Sequence, residues 1–583
     1  MKNIDPNAEI NSQKWLSSSI DEETKNIIIK MKEDNIEEFN EAFYRNLEFG
    51  TGGLRGIMGI GTNRMNRFTV SMATQGFANY ILKNNPLGEK KVVISFDNRN
   101  RSDEFAMITA KVFAANGFKV SIFKELRPTP VLSFAVREMG AIAGVMVTAS
   151  HNPKEYNGYK AYWNDGGQLT NPHDVLVIEE VNKILDFSQV NIQEDLENIS
   201  FIDKEIDKIY LEKVLALRID NSSIQKQKDL KIVYTPLHGT GITMVPKALE
   251  MFGFNNIRIV EKQAIIDGNF PTCKSPNPEE ASAMELGLEL SREIDADILM
   301  ATDPDADRVG IAVKNNKGEF VLINGNQTAT VLTYYILKKY KEENRLKGNE
   351  FIIKTIVTSE LIKEIANNYN VKSYDVLTGF KYIADKILSL EGKETYICGG
   401  EESYGFSIGD FVRDKDAVST CCLLAEVCAW AKENGKSFYD ILIDIYLEYG
   451  LYKEDLLSIT LKGKSGIEQI NSMMSNFRTN PPKNIIGQRI IRIKDYKERL
   501  DKDLINNTSE EIHLPISNVL QYYLEDGSRF TVRPSGTEPK IKFYFGVKNK
   551  ISSREEFAQE LENADNKIQS IIEELGLNKK IDL

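Results

Sequence analysis

Apolar and polar residues follow one another along most of the chain in blocks whose lengths predict strands and helices in turn. From residue 91 the run KVVISF predicts a buried strand, SDEFAMITAKVFAANG predicts a helix, and FKVSIF predicts the next strand. A further helix leads to the strand IAGVMV, which ends at Val147. Strands that alternate with helices of about 10 to 15 residues are typical of parallel α/β units.

The alternation returns twice and then gives way to a different pattern. A second unit runs from LKIVYT to ADILMA, and a third begins after INGN and includes the strand ETYICGG. Short strand-like segments and amphipathic helices then predict a smaller α+β domain. We therefore expect three similar α/β mixed-sheet domains and a C-terminal α+β domain, over residues 1–215, 216–324, 325–452 and 453–583, with linkers near 205–228, 322–326 and 447–455.

Length and composition describe an ordinary globular protein. The 583 residues are too many for one core, and a content of 42% hydrophobic and 27% charged residues is typical of soluble domains. A formal net charge of -12 argues against a nucleic-acid or anionic-membrane partner. There is no apolar run of transmembrane length and no apolar core of a signal peptide at the N-terminus, so a cytoplasmic location is expected.

The segment TDPDADR follows an apolar strand and carries three carboxylates at alternate positions. Asp303, Asp305 and Asp307 can converge in an extended or turning loop, since Pro304 disfavours a helix at the residue before it. Carboxylates this close repel one another unless a cation lies among them, and oxygen ligands select a hard ion such as Mg²⁺. An EF-hand is excluded by Arg308 at the sixth position. The loop is predicted to bind a metal.

Four other polar loops suit phosphate or sugar groups. RPSGTEPK offers hydroxyls, backbone N–H groups and cationic side chains, which match a phosphate dianion. TGGLRG, with Arg55, is a weaker candidate of the same kind. GGEESYG and the neighbouring LTGFKY could contact sugar hydroxyls or could be solvated loops. The candidates in the phosphate loop are Arg533, Ser535, Gly536, Thr537 and Lys540.

Ser150 stands beside His151 in VMVTASHNPKEYNGYKAY, which raises the question of a nucleophile. A triad hydrolase would require a G-x-S-x-G elbow, and the flanking residues here carry no elbow glycines. A strand-end serine that shares its protein with an aspartate trio and anion-binding loops indicates a hydroxyl that carries a phosphoryl group. Phosphoryl transfer needs positioning, charge neutralisation and a proton acceptor.

The motifs TASHNP, DPDADR, GEESYG and RPSGTEP occur in an order and at separations that resemble the four signature loops of the α-D-phosphohexomutases. These enzymes are the phosphoglucomutases and phosphomannomutases. The longer strings EFGTGGLRGIMGIGTNRMN and SHNPKEYNGYKAYWNDGGQL look most like the long-chain phosphoglucomutase branch, and the resemblance covers roughly residues 40 to 560. It implies a heart-shaped, four-domain enzyme with an active site in its central cleft.

The resemblance also implies a role for each motif residue. Ser150 would be the phosphoserine and would join the three aspartates on Mg²⁺. Lys160 would transfer protons, while His151 and Arg55 would steady the phosphate. The implied substrate-binding residues are Arg308 beside the metal loop, Thr378, Gly379, Lys381, Glu401 and Ser403 at the sugar, and Arg533, Ser535, Gly536, Thr537 and Lys540 at the non-reacting phosphate.

The implied reaction interconverts glucose 1-phosphate and glucose 6-phosphate through phosphoserine and glucose 1,6-bisphosphate, which is both intermediate and activator. Mannose and pentose phosphates remain alternative substrates. A Mg-dependent phosphatase with Asp303 as its nucleophile, or a non-catalytic sugar-phosphate sensor, are readings of another class. The expected partners are small sugar phosphates, with no nucleic acid and no membrane, and the chain is expected to be a monomer or a weak homodimer.

Overall fold

A computed structural model of the protein describes residues 3–49, 53–85, 88, 90–461, 463–535 and 540–578. The chain divides into two units. The first comprises residues 1–325 and 380–435, and the second comprises residues 326–379 and 436–583.

Helices occur in every part of the described chain. In chain order, α1 to α19 are Pro6–Ser17, Glu22–Asp34, Ile36–Phe43, Arg67–Asn84, Ser102–Ala115, Thr129–Glu138, His173–Asn182, Lys204–Leu215, Asn221–Lys226, Val245–Phe252, Glu261–Ala264, Ala281–Glu293, Gly325–Glu342, Leu361–Asn368, Phe380–Leu390, Ala417–Glu433, Phe438–Tyr449, Gly463–Thr479 and Phe557–Glu574.

The strands form mixed sheets in the first unit and a large antiparallel sheet in the second. In chain order, β1 to β23 are Gly53–Ile57, Lys91–Phe96, Lys119–Phe123, Ala143–Val147, Tyr156–Trp163, Ile199–Ile202, Ile232–Thr235, Ile257–Ile259, Ile298–Thr302, Val309–Lys314, Phe320–Ile323, Glu350–Thr355, Lys372–Val376, Thr395–Gly400, Phe406–Ile408, Leu451–Thr460, Asn484–Ile485, Gln488–Asp495, Leu500–Asp503, Thr508–Glu511, Leu520–Leu524, Arg529–Pro534 and Lys540–Asn549.

The first sheet has the order β1-β5-β4-β2-β3-β6. Strands β2, β3, β4 and β6 run parallel, and β5 is antiparallel to both of its neighbours. β4 is buried along its whole length because apolar residues of α4 and α5 contribute to the same core. Since β2 and β4 are parallel neighbours, the loops after Phe96 and Val147 open at the same edge of the sheet.

The second sheet has the order β11-β10-β9-β7-β8. β7, β8 and β9 are parallel, whereas β10 is antiparallel to β9 and to β11. The acidic loop therefore connects two adjacent antiparallel strands, β9 and β10, and both of these strands are buried. Also within the first unit, β14 pairs antiparallel with β15, and the GEESYG loop joins them.

In the second unit β12 and β13 pair in parallel, while the C-terminal strands form an antiparallel sheet. Its order is β16-β23-β22-β21-β18-β19-β20, with β17 on β18. Helices α18 and α19 pack against this sheet and contribute buried residues such as Ile470 and Ile568 to the interior. The strands and helices predicted for the tail are thus present, and the last helix is Phe557–Glu574.

Two details of the predicted organisation differ from the structure. The segment predicted as a linker, 205–228, consists largely of α8 and α9, because Ile206, Tyr210 and Val214 repeat at helical spacing and are buried. The predicted division after residue 452 falls inside β16, a ten-residue strand that pairs with β23 along its whole length.

Gly76 gives a test of the packing between α4 and α7. A Cβ at this position would lie 2.5 Å from the Cα of Val181, a backbone atom that can move only with its helix. Alanine favours helix formation by about 1 kcal/mol over glycine, but overpacking costs about 1 to 3 kcal/mol. Three atoms of Val181 would lie within 2.6 Å of that Cβ, so the overpacking cost falls in the upper part of this range, and we expect Gly76→Ala to lower the free energy of unfolding by about 1 to 2 kcal/mol in urea melts.

The control is Lys83→Ala at the exposed end of the same helix, which should change the free energy of unfolding by about 0.5 kcal/mol or less. An unchanged or raised stability of Gly76→Ala would contradict the packing described here.

Candidate functional site

Ser150 lies in a strained turn just after β4. Its φ of 51° is in the left-handed region, which non-glycine residues rarely adopt and which is common at functional sites. The serine is 3% exposed, and its backbone N–H donates to Thr148 Oγ1 at 2.8 Å. The Ser150 hydroxyl donates to Asp303 Oδ2 at 2.7 Å. The structure therefore places the candidate phosphate carrier directly against the acidic loop.

The acidic loop brings its three carboxylates together as the spacing predicts. Asp303, Asp305 and Asp307 are buried, and one oxygen from each lies within 4.8 Å of the others. Asp303 Oδ1 accepts backbone N–H groups of Asp307 at 3.1 Å and of Arg308 at 3.0 Å. Those bonds fix the turn. Such a trio can hold a metal ion.

Two carboxylate oxygens support this assignment by their surroundings. Asp305 Oδ1 and Asp307 Oδ1 are buried and have no hydrogen-bond partner among the described residues. Buried carboxylate oxygens without donors are costly, and hard divalent cations bind such oxygens. The donor set thus fits a hard divalent cation.

Two ammonium groups partly neutralise the trio. Lys160 of β5 lies 2.6 Å from Asp305 Oδ2 and 3.0 Å from Asp307 Oδ2, and Lys415 lies 3.2 Å from Asp307 Oδ2. Burial acts to lower the pKa of Lys160, but the two aspartates raise it above its usual range. Burial acts to raise the pKa of Asp307, yet Lys160 and Lys415 hold it well below its usual range. Both lysines are therefore charged.

Asp303 is electrostatically different from Asp307. Burial and the neighbouring charges of Asp305 and Asp307 raise the pKa of Asp303 well above its usual range. Lys160 and Lys415 hydrogen-bond or pair with the other two aspartates rather than with this one. Asp303 is consequently the member of the trio with the greatest electrostatic need for an added cation.

His151 and Arg55 both contact the serine loop. His151 Nδ1 lies 3.2 Å from Ser150 Oγ, and burial, with the positive charges of Arg308 and Arg55, lowers the pKa of the imidazole well below its usual value. Arg55 Nη1 donates to the Asn152 side-chain oxygen at 3.2 Å. The histidine is therefore a neutral neighbour of the hydroxyl.

The GEESYG loop approaches the acidic loop. Arg308 forms an isolated β-bridge with Gly405, and its Nη1 donates to Glu279 Oε1 at 2.6 Å. Glu401 is buried at 6% exposure and its negative charge contributes to the raised pKa values of Lys415 and Arg308. Ser403 lies half-buried in the same loop. The structure thus brings Arg308, Glu401 and the metal-loop residues into one charged cluster.

The remaining predicted residues lie elsewhere in the chain. Lys381 is in the first unit and donates to Asp174 Oδ2 at 3.2 Å. Thr378, Gly379, Arg533, Ser535 and Lys540 are in the second unit, where the Ser535 N–H donates to the Lys540 carbonyl at 2.7 Å. Gly536 and Thr537 lie outside the described residues. The roles of all the predicted site residues stay predictions.

The sequence reasoning missed Lys415 and Thr129, which both contact the trio. Thr129 Oγ1 donates to Asp305 Oδ2 at 2.7 Å, and it belongs to the first turn of α6. Lys415 stands just before α16, in the charged run RDKD that precedes a helix buried along most of its length. A charged run that leads into a buried helix was the available signal, since such charges need partners.

Four family models match the chain in order. They are described as phosphoglucomutase/phosphomannomutase alpha/beta/alpha domains I, II and III and the C-terminal domain, over residues 46–187, 208–318, 324–449 and 484–564. The chain belongs to the phosphoglucomutase/phosphomannomutase family. The resemblance seen in the four motifs is thereby confirmed.

Curated relatives agree with this assignment over nearly the full length. A phosphoglucomutase from Staphylococcus haemolyticus is 37% identical over 529 residues, which cover 90% of this chain and 94% of the relative. A phosphoglucomutase from Staphylococcus aureus USA300 is 38% identical over 541 residues, covering 93% of this chain and 96% of the relative.

Solved structures share the fold. The open form of the Paramecium phosphoglucomutase parafusin gives a TM-score of 0.66 at 17% identity, covering 91% of this chain and 95% of that one. A phosphoglucomutase/phosphomannomutase family protein from Burkholderia thailandensis gives 0.63 at 17% identity, covering 91% and 98%. The predicted class, α/β domains followed by a C-terminal α+β domain, is confirmed. None of the helices in the described ranges combines the length and apolar character needed to cross a bilayer.

Removal of the carboxylates tests the metal assignment. Divalent cation binding should stabilise the folded protein by RT ln(1 + [L]/Kd), about 2.7 kcal/mol at one hundred times Kd. We expect Mg²⁺ or Mn²⁺ to raise the melting temperature of the unmodified protein and to have no effect on the Asp305→Asn/Asp307→Asn variant. The measurement is a thermal melt with and without EDTA.

Asp207→Asn is the matched control, since Asp207 is a buried carboxylate that pairs with Arg127. Its cation-dependent shift should equal that of the unmodified protein. A shift that survives in the double variant would show that the cation binds elsewhere.

Proposed function

We propose that this chain is a phosphoglucomutase, which interconverts glucose 1-phosphate and glucose 6-phosphate through a phosphoserine at Ser150 and bound glucose 1,6-bisphosphate. The observation that supports it most is the 2.7 Å contact between the Ser150 hydroxyl and an aspartate of the buried trio. The relatives with 37–39% identity that carry the name phosphoglucomutase add to this support.

Mg²⁺ is the proposed cofactor, held by Asp303, Asp305, Asp307 and a phosphate oxygen on Ser150. When bound, it would neutralise charge on the transferring phosphoryl group. Ser150 Oγ would release the phosphoryl group to a free sugar hydroxyl and would receive the other phosphate in return. Arg55 of β1 would steady that group, and its contact with Asn152 of the serine loop supports this role.

Proton movement is assigned to Lys160. Transfer from Ser150 leaves an oxygen that gains a proton, while the sugar hydroxyl loses one. Lys160 is charged, 2.6 Å from Asp305, and lies in the same cluster as the serine. The aspartates raise the pKa of Lys160, and a cation bound by Asp305 and Asp307 would weaken their hold on the ammonium group, so that it could donate a proton to the serine oxygen and take one from the sugar hydroxyl. His151 is less suited, because its pKa is already lowered by burial and neighbouring cations.

The sugar and its second phosphate are assigned to the remaining loops. Thr378, Gly379, Lys381, Glu401 and Ser403 would contact the sugar, and Arg308, beside the metal loop, would also bind substrate. Arg533, Ser535, Gly536, Thr537 and Lys540 would bind the non-reacting phosphate through hydroxyls, backbone N–H groups and cationic side chains. Reorientation of the bisphosphate would present either phosphate to Ser150.

Membership of the family also supports proposals on domain boundaries, location and assembly. We propose domains over residues 1–215, 216–324 and 325–450 and a C-terminal domain that begins with β16 at Leu451, a cytoplasmic location, and a monomer or weak homodimer without nucleic-acid or membrane partners. The phosphatase alternative is less well supported, because Asp303 Oδ1 already accepts two backbone N–H groups and Oδ2 accepts the Ser150 hydroxyl. Such a carboxylate is poorly exposed for attack on phosphorus.

Ser150→Ala tests the function with three substrates. We expect the unmodified protein to convert glucose 1-phosphate with a higher kcat/KM than mannose 1-phosphate or ribose 1-phosphate, and without net release of inorganic phosphate. Ser150→Ala should lose at least about a thousandfold in kcat because no phosphoryl carrier remains, with little change in melting temperature.

A control for Ser150→Ala is Ser133→Ala, a buried serine of α6 whose hydroxyl donates to the Gly166 carbonyl. That variant should keep its turnover. An unchanged kcat in Ser150→Ala would exclude the phosphoserine, and phosphate release as the main reaction would favour the phosphatase.

Lys160→Met tests proton transfer. The variant keeps the side-chain length and removes the ammonium group, so kcat should fall about a hundredfold while KM changes by less than about fivefold. Lys91→Met is a control, because Lys91 lies on β2 of the same sheet and donates to the Met139 carbonyl. A kcat of Lys160→Met within about threefold of the unmodified protein would contradict the assignment.

A further inference from the structure

One buried arginine in the loop after β2 binds the serine loop through hydrogen bonds. Arg99 is 2% exposed, and its Nη2 donates to the carbonyl oxygens of Ser150, at 2.5 Å, and of Asn152. Its Nη1 donates to the carbonyl oxygens of Pro153 at 2.8 Å and Tyr156 at 3.0 Å. One guanidinium group therefore binds four carbonyls between Ser150 and the start of β5.

Asp97 holds this arginine and also reaches the serine from its other side. Its Oδ1 accepts the Arg99 backbone N–H at 2.9 Å, and its Oδ2 lies 3.4 Å from Arg99 Nε. The same Oδ2 accepts the Thr148 hydroxyl at 2.6 Å, and Thr148 Oγ1 accepts the Ser150 N–H at 2.8 Å. The N–H and C=O of the strained serine are thus both fixed by one connected network.

We propose that Arg99, supported by Asp97 and Thr148, is the positioning residue of the phosphoserine. It holds Ser150 in the left-handed conformation that aims its Oγ at Asp303. The proposal rests on the proposed function, since it concerns the same carrier serine. A relaxed φ would turn the hydroxyl away from the aspartate, and small misplacements of reacting groups cost about a hundredfold in rate.

The requirement for arginine follows from geometry. A guanidinium presents five N–H donors in a rigid fork, whereas an ammonium presents three around one point. The four carbonyls lie between residues 150 and 156. They match the forked N–H donors of a guanidinium and are too far apart for one ammonium group to bind all of them. Lysine at position 99 would keep the charge beside Asp97 and release part of the loop.

The segment between α11 and α12 also contacts this network. The Phe270 ring lies 5.1 Å from the Arg99 guanidinium, and Ser275 Oγ donates to the His151 carbonyl at 3.0 Å. Arg99 is thereby enclosed between the serine loop and the part of the chain that precedes the metal-loop strand. The arginine can set the serine relative to the aspartates as well as within its own loop.

The experiment compares Arg99→Lys, Thr148→Val and Thr148→Ser. We expect kcat for glucose 1-phosphate to fall about 10- to 100-fold in Arg99→Lys and about tenfold in Thr148→Val, with KM changed by less than about threefold. Thr148→Ser keeps the hydroxyl and should stay within about twofold of the unmodified kcat. Intact mass after exposure to glucose 1,6-bisphosphate should show slower phosphate uptake in the first two variants.

The control is Arg64→Lys, a buried arginine of the first unit that pairs with Glu38 of α3. It should leave kcat and phosphate uptake unchanged, whatever its effect on the melting temperature. Unchanged kcat and uptake in Arg99→Lys and Thr148→Val would overturn the positioning role, as would equal losses in Arg64→Lys. If Arg99→Lys does not fold, the comparison of Thr148→Val with Thr148→Ser tests the positioning role. Failure of the unmodified protein to take up phosphate would overturn the proposed function instead.

Discussion

Repulsion among three buried carboxylates is the constraint around which the first unit is arranged. Two unit charges about 4 Å apart interact by about 4 kcal/mol at an effective dielectric constant of 20, so the trio needs opposite charge close by. Lys160 comes from β5, Lys415 from the segment before α16, and Arg308 from the acidic loop itself. Separate parts of the unit must therefore fold together before the aspartates are stable.

The charges around the trio also support the proposed metal beside the proposed phosphoserine. The cations of Lys160, Lys415 and Arg308 oppose the three carboxylates, but Arg308 also pairs with Glu279 and Lys415 with Asp414, so these positive charges are already shared with other carboxylates. A phosphate on Ser150 adds about -1.5 to -2. A divalent cation among the unpartnered oxygens of Asp305 and Asp307 would offset that added charge.

Features that depend on the local order of residues were predicted from the sequence, whereas contacts between residues far apart in the chain were missed. The strand ends that carry Ser150 and the aspartates followed from hydrophobic runs, and the trio followed from spacing alone. Lys415 and Arg99 were missed because their partners lie more than 50 residues away along the chain. Helices α1 to α3 could have been predicted from their N-cap residues Asp5, Asp21 and Asn35, each of which precedes an amphipathic segment.

The neighbour in sequence is not the functional neighbour of Ser150. His151 is adjacent in the chain and its Nδ1 lies 3.2 Å from the hydroxyl, but it is half-buried, and desolvation and surrounding cations lower its pKa. Asp303 comes 153 residues later and lies 2.7 Å from the same oxygen. Because β2 and β4 are parallel neighbours, the loop that fixes the serine opens beside it, and sheet topology rather than the Ser-His pair determines where the hydroxyl points.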